Sequence, residues 1–101
     1  MQIIDYIINQ GAIEFLKTQP IQKAYLFGSH SRDEATKESD FDFLVDLEDK
    51  VDLFQFISIK LNLERILHTK VDLISSNGLS PRISPYIEMD KILIYEKQNQ
   101  W

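Results

Sequence analysis

Ile4, Ile7, Ile8, Ala12, Phe15 and Leu16 recur three and four residues apart, the spacing that lines one side of an α-helix. The run ends at Gln19-Pro20, because proline disfavours helix in the residue before it. A first helix over roughly residues 2–18 follows. Lys23 to Phe27 is a short run rich in strand formers that stops at Gly28-Ser29, and the polar stretch beyond is suited to opening a short helix. From Phe41 the period changes to two. Phe41, Phe43, Val45 and Leu47 point one way, while Asp40, Asp42, Leu44 and Asp46 point the other, so one face is core and the other carries carboxylates. Leu53, Phe54, Ile57, Leu61 and Leu67 then predict the inner face of a second helix over roughly residues 51–68, with Lys60, Glu64 and Arg65 among its polar positions. Val71 to Ile74 reads as a brief apolar strand broken by Asp72, Ser75 to Gly78 as a loop, Pro81 to Met89 as the span of a last helix, and Ile92 to Tyr95 as a final strand.

Helices alternating with strands predict an α/β fold, a small mixed sheet covered by helices. At 101 residues the chain has room for one core, which we place in residues 1–97, with 98–101 as a polar tail. The formal net charge of −5 repels a phosphate backbone, which argues against free DNA or RNA as a direct partner. With no cysteine there is no disulfide, thiolate nucleophile or zinc–thiolate cluster. The N-terminus lacks a signal-peptide pattern, and no apolar run approaches the ~20 residues of a membrane span, so the expectation is a cytoplasmic protein with no membrane association.

The chemistry concentrates in two places. Residues two apart on a strand lie about 6.5–7 Å apart on one face, so Asp40 and Asp42 can converge on a shared cation. Hard oxygen donors without His or Cys select Mg²⁺ or Mn²⁺ over zinc. Taken alone, the same pair also suits the solvated face of an edge strand. Gly28-Ser29 ends a strand before a helix-forming stretch, where backbone N–H groups and a hydroxyl can face an anion, although a Gly-Ser pair by itself is usually only a turn. Asp72 is an acid inside an apolar strand, a position that fits if the sheet sets it beside the other carboxylates; the plainer alternative is an exposed strand residue. Asp46, on the same strand face, leads into Glu48, Asp49 and Lys50 and is expected in a solvated turn. Arg32 is expected to pair with Glu38 or Asp33 on the surface in preference to contacting a phosphate or a partner chain, His30 to be solvated, and His68 to suit a helix C-terminus.

Gly28-Ser29, ten residues and then Asp40-Phe41-Asp42, with Arg32, Ala35 and Ser39 between, resembles the signature of the minimal nucleotidyltransferases of the DNA polymerase beta-like superfamily. The resemblance covers residues 24–45 and reaches Asp72 by element order. It departs from the usual pattern at Asp33, where members often carry glycine after the arginine. The family has a palm-like α/β fold, and the resemblance implies that Gly28 and Ser29 grip the triphosphate of a nucleotide, ATP by default. It further implies that Asp40 and Asp42 hold Mg²⁺ and that Asp72 holds a second metal and helps deprotonate the acceptor. Two such metals would clamp the attacking and leaving oxygens of an in-line displacement at phosphorus.

Larger superfamily members bind their acceptor with additional domains, for which this chain has no room. Many minimal relatives are MntA-type antitoxins paired with a helical ribonuclease toxin of the HEPN type, and some transfer AMP to a toxin tyrosine. The resemblance thus implies an AMP-transferring antitoxin, whose acidic surface suits a basic nuclease and whose Trp101 offers an apolar anchor or belongs to a disordered tail. Two alternatives stay open: an antitoxin acting by contact alone, and a small-molecule nucleotidyltransferase whose acceptor pocket forms between two subunits.

Overall fold

The computed structural model describes residues 2–32, 40–48, 50–78 and 84–98. In chain order these form α1 (Gln2–Asn9), α2 (Ala12–Leu16), β1 (Ile21–Phe27), β2 (Phe41–Leu47), α3 (Leu53–Leu67), β3 (Val71–Ser75), a 3₁₀ turn (Ser76–Gly78), α4 (Ser84–Asp90) and β4 (Ile92–Glu96). Residues 81–83 at the start of the expected last helix, and Trp101, lie outside the described residues.

The expected single N-terminal helix is two. Gly11 adopts φ +89°, a left-handed conformation open to glycine at no steric cost, and it breaks the helix although the apolar spacing runs straight through it. The break changes which side chains point inward: Ile7, Ala12 and Leu16 are buried, but Ile8 is 53% exposed. Strand β1 starts at Ile21, two residues earlier than its composition indicated.

The sheet has four strands in the order β3-β2-β1-β4. β2 and β3 run parallel, joined through α3, while β1 is antiparallel to β2 and β4, which makes the sheet mixed as expected. The alternation read in β2 holds for Phe41, Phe43 and Val45, which are buried together with Ile7, Leu16, Ile59, Leu63 and Leu67. Helices α1 to α3 therefore cover this face of the sheet. On the other face Leu44 is also buried, so the carboxylate face is not polar throughout. Leu44 pairs with Tyr25 of β1, and Lys91, directly after α4, places its ammonium 4.4 Å from the centre of the Tyr25 ring. That contact puts α4 on the carboxylate side.

In α3 the expected inner face is wrong. Ile59, Leu63 and Leu67 are buried, and Phe56 and Ile66 pack against the core. Of the five positions expected inside, only Leu67 is: Leu53, Phe54, Ile57 and Leu61 face outward. The helix is apolar along two stripes, and the sheet takes the one from Phe56 to Leu67. Asp52 caps its N-terminus by accepting a hydrogen bond from the Gln55 N–H at 2.7 Å. At its C-terminus His68 takes φ 58°, at the position expected for it. The Tyr6 hydroxyl donates to the Leu67 carbonyl at 2.8 Å and ties α1 to the same end. Among the described residues no helix is long and apolar enough to cross a membrane.

Candidate active site

Sheet register assembles the site. Phe27, the last residue of β1, is the antiparallel partner of Asp42, and Asp42 is the parallel partner of Asp72. Two adjacent strands thus present their acids side by side, on the face opposite the helical layer, because Asp42 lies between core-facing Phe41 and Phe43 and Asp72 between Val71 and Leu73. Asp72 is exposed on β3, which is an edge strand.

Gly28 follows β1 with φ +79°. A Cβ built on it would fall 2.2 Å from Asp42 Oδ2, so only glycine lets the carboxylate lie against this turn. The glycine was expected to make room for a phosphate; what it makes room for here is Asp42. The turn is closed by the Ser31 N–H on the Gly28 carbonyl at 3.1 Å, the Arg32 N–H on the Ser29 carbonyl at 3.2 Å, and the Ser31 hydroxyl on the Gly28 carbonyl at 2.8 Å. Ser29 follows Gly28 in this same turn. The stretch expected to open a helix includes residues 33–39, outside the described residues, as are Asp33, Ala35, Glu38 and Ser39 from the motif.

Electrostatics mark Asp42 as the strained member of the pair. Its carboxyl is pushed from 3.8 up to about 6, first by burial, then by its hydrogen bond with Asp72, then by the charges of Asp72 and Asp40, against the opposing pull of Arg32. In its protonated form Asp42 donates to the Asp72 carboxylate. Asp40, one residue ahead of β2 and half-buried, acts on Asp42 through its charge. The three acids are not equally convergent: among the described residues no three His, Cys, Asp or Glu side chains are gathered closely enough to form a ready metal site. Asp42 and Asp72 are nonetheless a pair of hard oxygen donors that repel each other unless a proton or a cation lies between them, and that chemistry fits a divalent cation.

The neighbours differ from several expectations. Arg32 forms an ion pair with Asp90 of α4, 58 residues away, so the arginine of the turn is tied to the helix on the same side of the sheet. His30 is not simply solvated; its ring stacks on Phe41 at 4.2 Å between centres. Asp46 is not in a turn but within β2, opposite Lys23 of β1. Glu64 has a role that its polar position on α3 did not reveal. Its carboxylate accepts from the Val71 N–H at 3.0 Å and from Lys60 at 3.2 Å, which holds it below the usual glutamate range and fixes the residue just before Asp72. A cavity of about 720 Å³ bordered by Leu47, Phe56 and Ser75 opens at the other ends of β2 and β3 and takes no part in the site.

Residues 10–100 match the family model described as Polymerase beta, Nucleotidyltransferase. The chain belongs to this nucleotidyltransferase family. A candidate protein adenylyltransferase of Methanocaldococcus jannaschii is 33% identical over 92 residues, which cover 90% of this nucleotidyltransferase and 94% of the relative. The protein adenylyltransferase MntA of Thermococcus cleftensis is 29% identical over 94 residues, covering 93% and 95%. Among solved structures, a candidate minimal nucleotidyltransferase is 31% identical with a TM-score of 0.65, covering 84% of this chain and 88% of that one. A chain of a toxin–antitoxin complex crystallised with AMP-PNP aligns with a TM-score of 0.74 at 24% identity, covering 94% and 74%. A chain of the complex between tri-AMPylated HEPN toxin of Shewanella oneidensis and its MNT antitoxin aligns with a TM-score of 0.66 at 21% identity, covering 91% and 73%. At these identities the two complexes show the fold shared with this nucleotidyltransferase.

Proposed function

We propose that this nucleotidyltransferase transfers AMP from ATP to a tyrosine hydroxyl of a HEPN-type toxin and acts as its antitoxin, with residues 1–97 as the working domain. The observation that carries the reading is the Asp42–Asp72 pair, set side by side by strand register, with Asp42 pressed against the Gly28 turn. The relatives' names support adenylyl transfer to protein, and the toxin–antitoxin complexes of the same fold support the choice of partner.

Asp42 and Asp72, with Asp40 adding charge and a further oxygen donor, would hold a divalent cation, Mg²⁺ first and Mn²⁺ as a substitute. A bound cation supplies neutralising charge for the triphosphate and for the pyrophosphate that leaves. Ser29 and the backbone N–H groups of the turn bind the phosphate tail and orient the α-phosphorus. The acceptor reaches the site over the exposed edge strand β3. Its hydroxyl oxygen bonds to the α-phosphorus as the bond to pyrophosphate breaks, and the hydroxyl proton passes to the Asp72 carboxylate. The excess of acidic residues favours a basic partner surface.

The test is incubation with α-labelled ATP, Mg²⁺ and a HEPN-type toxin. Label on the toxin with the wild type, lost in Asp42→Asn and Asp72→Asn chains that still bind the toxin, is the expected result. Protection of cells from the toxin by those two variants, without label, would establish the contact-only antitoxin instead.

A further inference from the structure

The outward stripe of α3 has the form of an interface. Leu53 is 69% exposed, Phe54 85%, Ile57 41% and Leu61 55%, all on one helix, and the last three line an open groove of about 340 Å³ with Ser58, Asn62 and Arg65. Together they expose roughly 400–500 Å² of apolar surface, comparable to the largest patch that a monomer ordinarily leaves in water. Beside them the Asn62 amide donates to the Ser58 carbonyl at 2.8 Å, and Arg65 donates to Asn62 through one of its guanidinium nitrogens. An apolar seam with a polar rim is the anatomy of a protein–protein contact. The inner stripe from Phe56 to Leu67 already serves the fold, so the core has no further use for this second one.

We propose that the occupant is a second copy of this chain, paired through α3 against α3 in antiparallel orientation. The seam positions Phe54, Ile57, Leu61 and Arg65 are spaced three, four and four apart, so an antiparallel copy sets Ile57 against Leu61, Leu61 against Ile57, and Phe54 against Arg65. The charges match in the same register. Asp52 stands exposed at the N-terminal end and Arg65 exposed near the C-terminal end, so each guanidinium lies over the copy's Phe54 ring within reach of its Asp52 carboxylate. A two-fold interface must be self-complementary, and this helix is, at both ends and in the middle. The pairing removes about 1,000 Å² in all, the low end for a specific interface, where weak and transient contacts lie. Because α3 lies on the face opposite Asp42 and Asp72, both acid pairs stay turned outward. The dimer therefore leaves each site open to its own acceptor and builds no shared pocket.

Sedimentation velocity of the full chain, from low to high micromolar concentration, tests this. The wild type should pass from monomer to dimer, while Ile57→Lys and Leu61→Glu chains should each remain monomeric, at least ~10-fold weaker in pairing. An equimolar mixture of the two variants should regain the dimer, since the antiparallel register brings the introduced lysine of one chain against the introduced glutamate of the other. As the chain has no cysteine, Ile57→Cys chains mixed with Leu61→Cys chains should also form a disulfide-linked pair on oxidation, in preference to either variant alone. A wild type monomeric throughout, a dimer untouched by both substitutions, or a mixture that stays monomeric and does not cross-link would each overturn the proposal. So would a monomer whose α3 variants lose binding to the toxin, which would assign the stripe to that partner.

Discussion

Replacing Asp42 by asparagine should stabilise the metal-free protein at neutral pH, although it removes a central residue of the site. The carboxyl of Asp42 is raised from 3.8 to about 6 in the folded chain. A raised carboxyl means that the folded state binds the proton more tightly than the unfolded state. The stability it contributes is fully present below about pH 4 and is lost as pH rises through about 6. At roughly 1.4 kcal/mol for each tenfold change in proton affinity the ceiling is about 3 kcal/mol, and solvent screening of a half-buried group reduces it to about 1 kcal/mol. Asparagine keeps the shape, donates to Asp72 as the protonated acid does, and carries no charge to repel Asp40 and Asp72. For a domain of this size ~1 kcal/mol is about 4–8 °C in Tm. Thermal melts of wild type and Asp42→Asn in EDTA, from pH 4 to 8, should show the variant ahead at pH 7.5 and the gap closing towards pH 4. Millimolar Mg²⁺ should raise the Tm of the wild type at pH 7.5 and leave that of the variant nearly unchanged. A variant less stable than wild type at pH 7.5, or a gap that does not change with pH, would refute the reasoning.

Three other substitutions probe the surroundings. Gly28→Ala forces a Cβ into Asp42 Oδ2 at a positive φ, and should lower stability by about 2 kcal/mol in denaturant titrations and nucleotide transfer by more than ~10-fold. Glu64→Gln keeps an acceptor for the Val71 N–H but loses the charge. Since the carboxyl of Glu64 is held low, its contribution is present above about pH 4.5 and lost as pH falls through its lowered value, so melts should show the variant weaker at pH 7 and equal to wild type in acid. His68→Gly relieves a left-handed residue at the end of α3 and should gain about 1 kcal/mol in the same titrations, with transfer activity unchanged.

The site was more legible in the sequence than the packing around it. Alternation in β2 separated Phe41, Phe43 and Val45 from Asp42 because a strand's period of two leaves no ambiguity of phase. Asp72 stood out as one acid in an apolar strand, and the sheet register brings it beside Asp42. The helices were harder. In α3 two apolar stripes share the spacing of a helix, and only the sheet decides that Phe56, Ile59 and Leu63 turn inward while Phe54, Ile57 and Leu61 stay outside. At Gly11 the apolar spacing continues unbroken, and the break comes from backbone conformation. The pairing of Arg32 with Asp90 and of Glu64 with the Val71 N–H joins residues far apart in the chain or links a side chain to backbone, and neither leaves a periodic trace.

The proposed transfer requires Asp42, Asp72 and the Gly28-Ser29 turn to form one nucleotide site. A crystal structure with Mg²⁺ and a nonhydrolysable ATP analogue tests this most directly. The predicted result is the triphosphate on the N–H groups of the turn with its tail at Ser29, and a cation bridging it to Asp42 and Asp72. A nucleotide bound elsewhere on the chain, or one bound at the turn with its metal away from both aspartates, would contradict it.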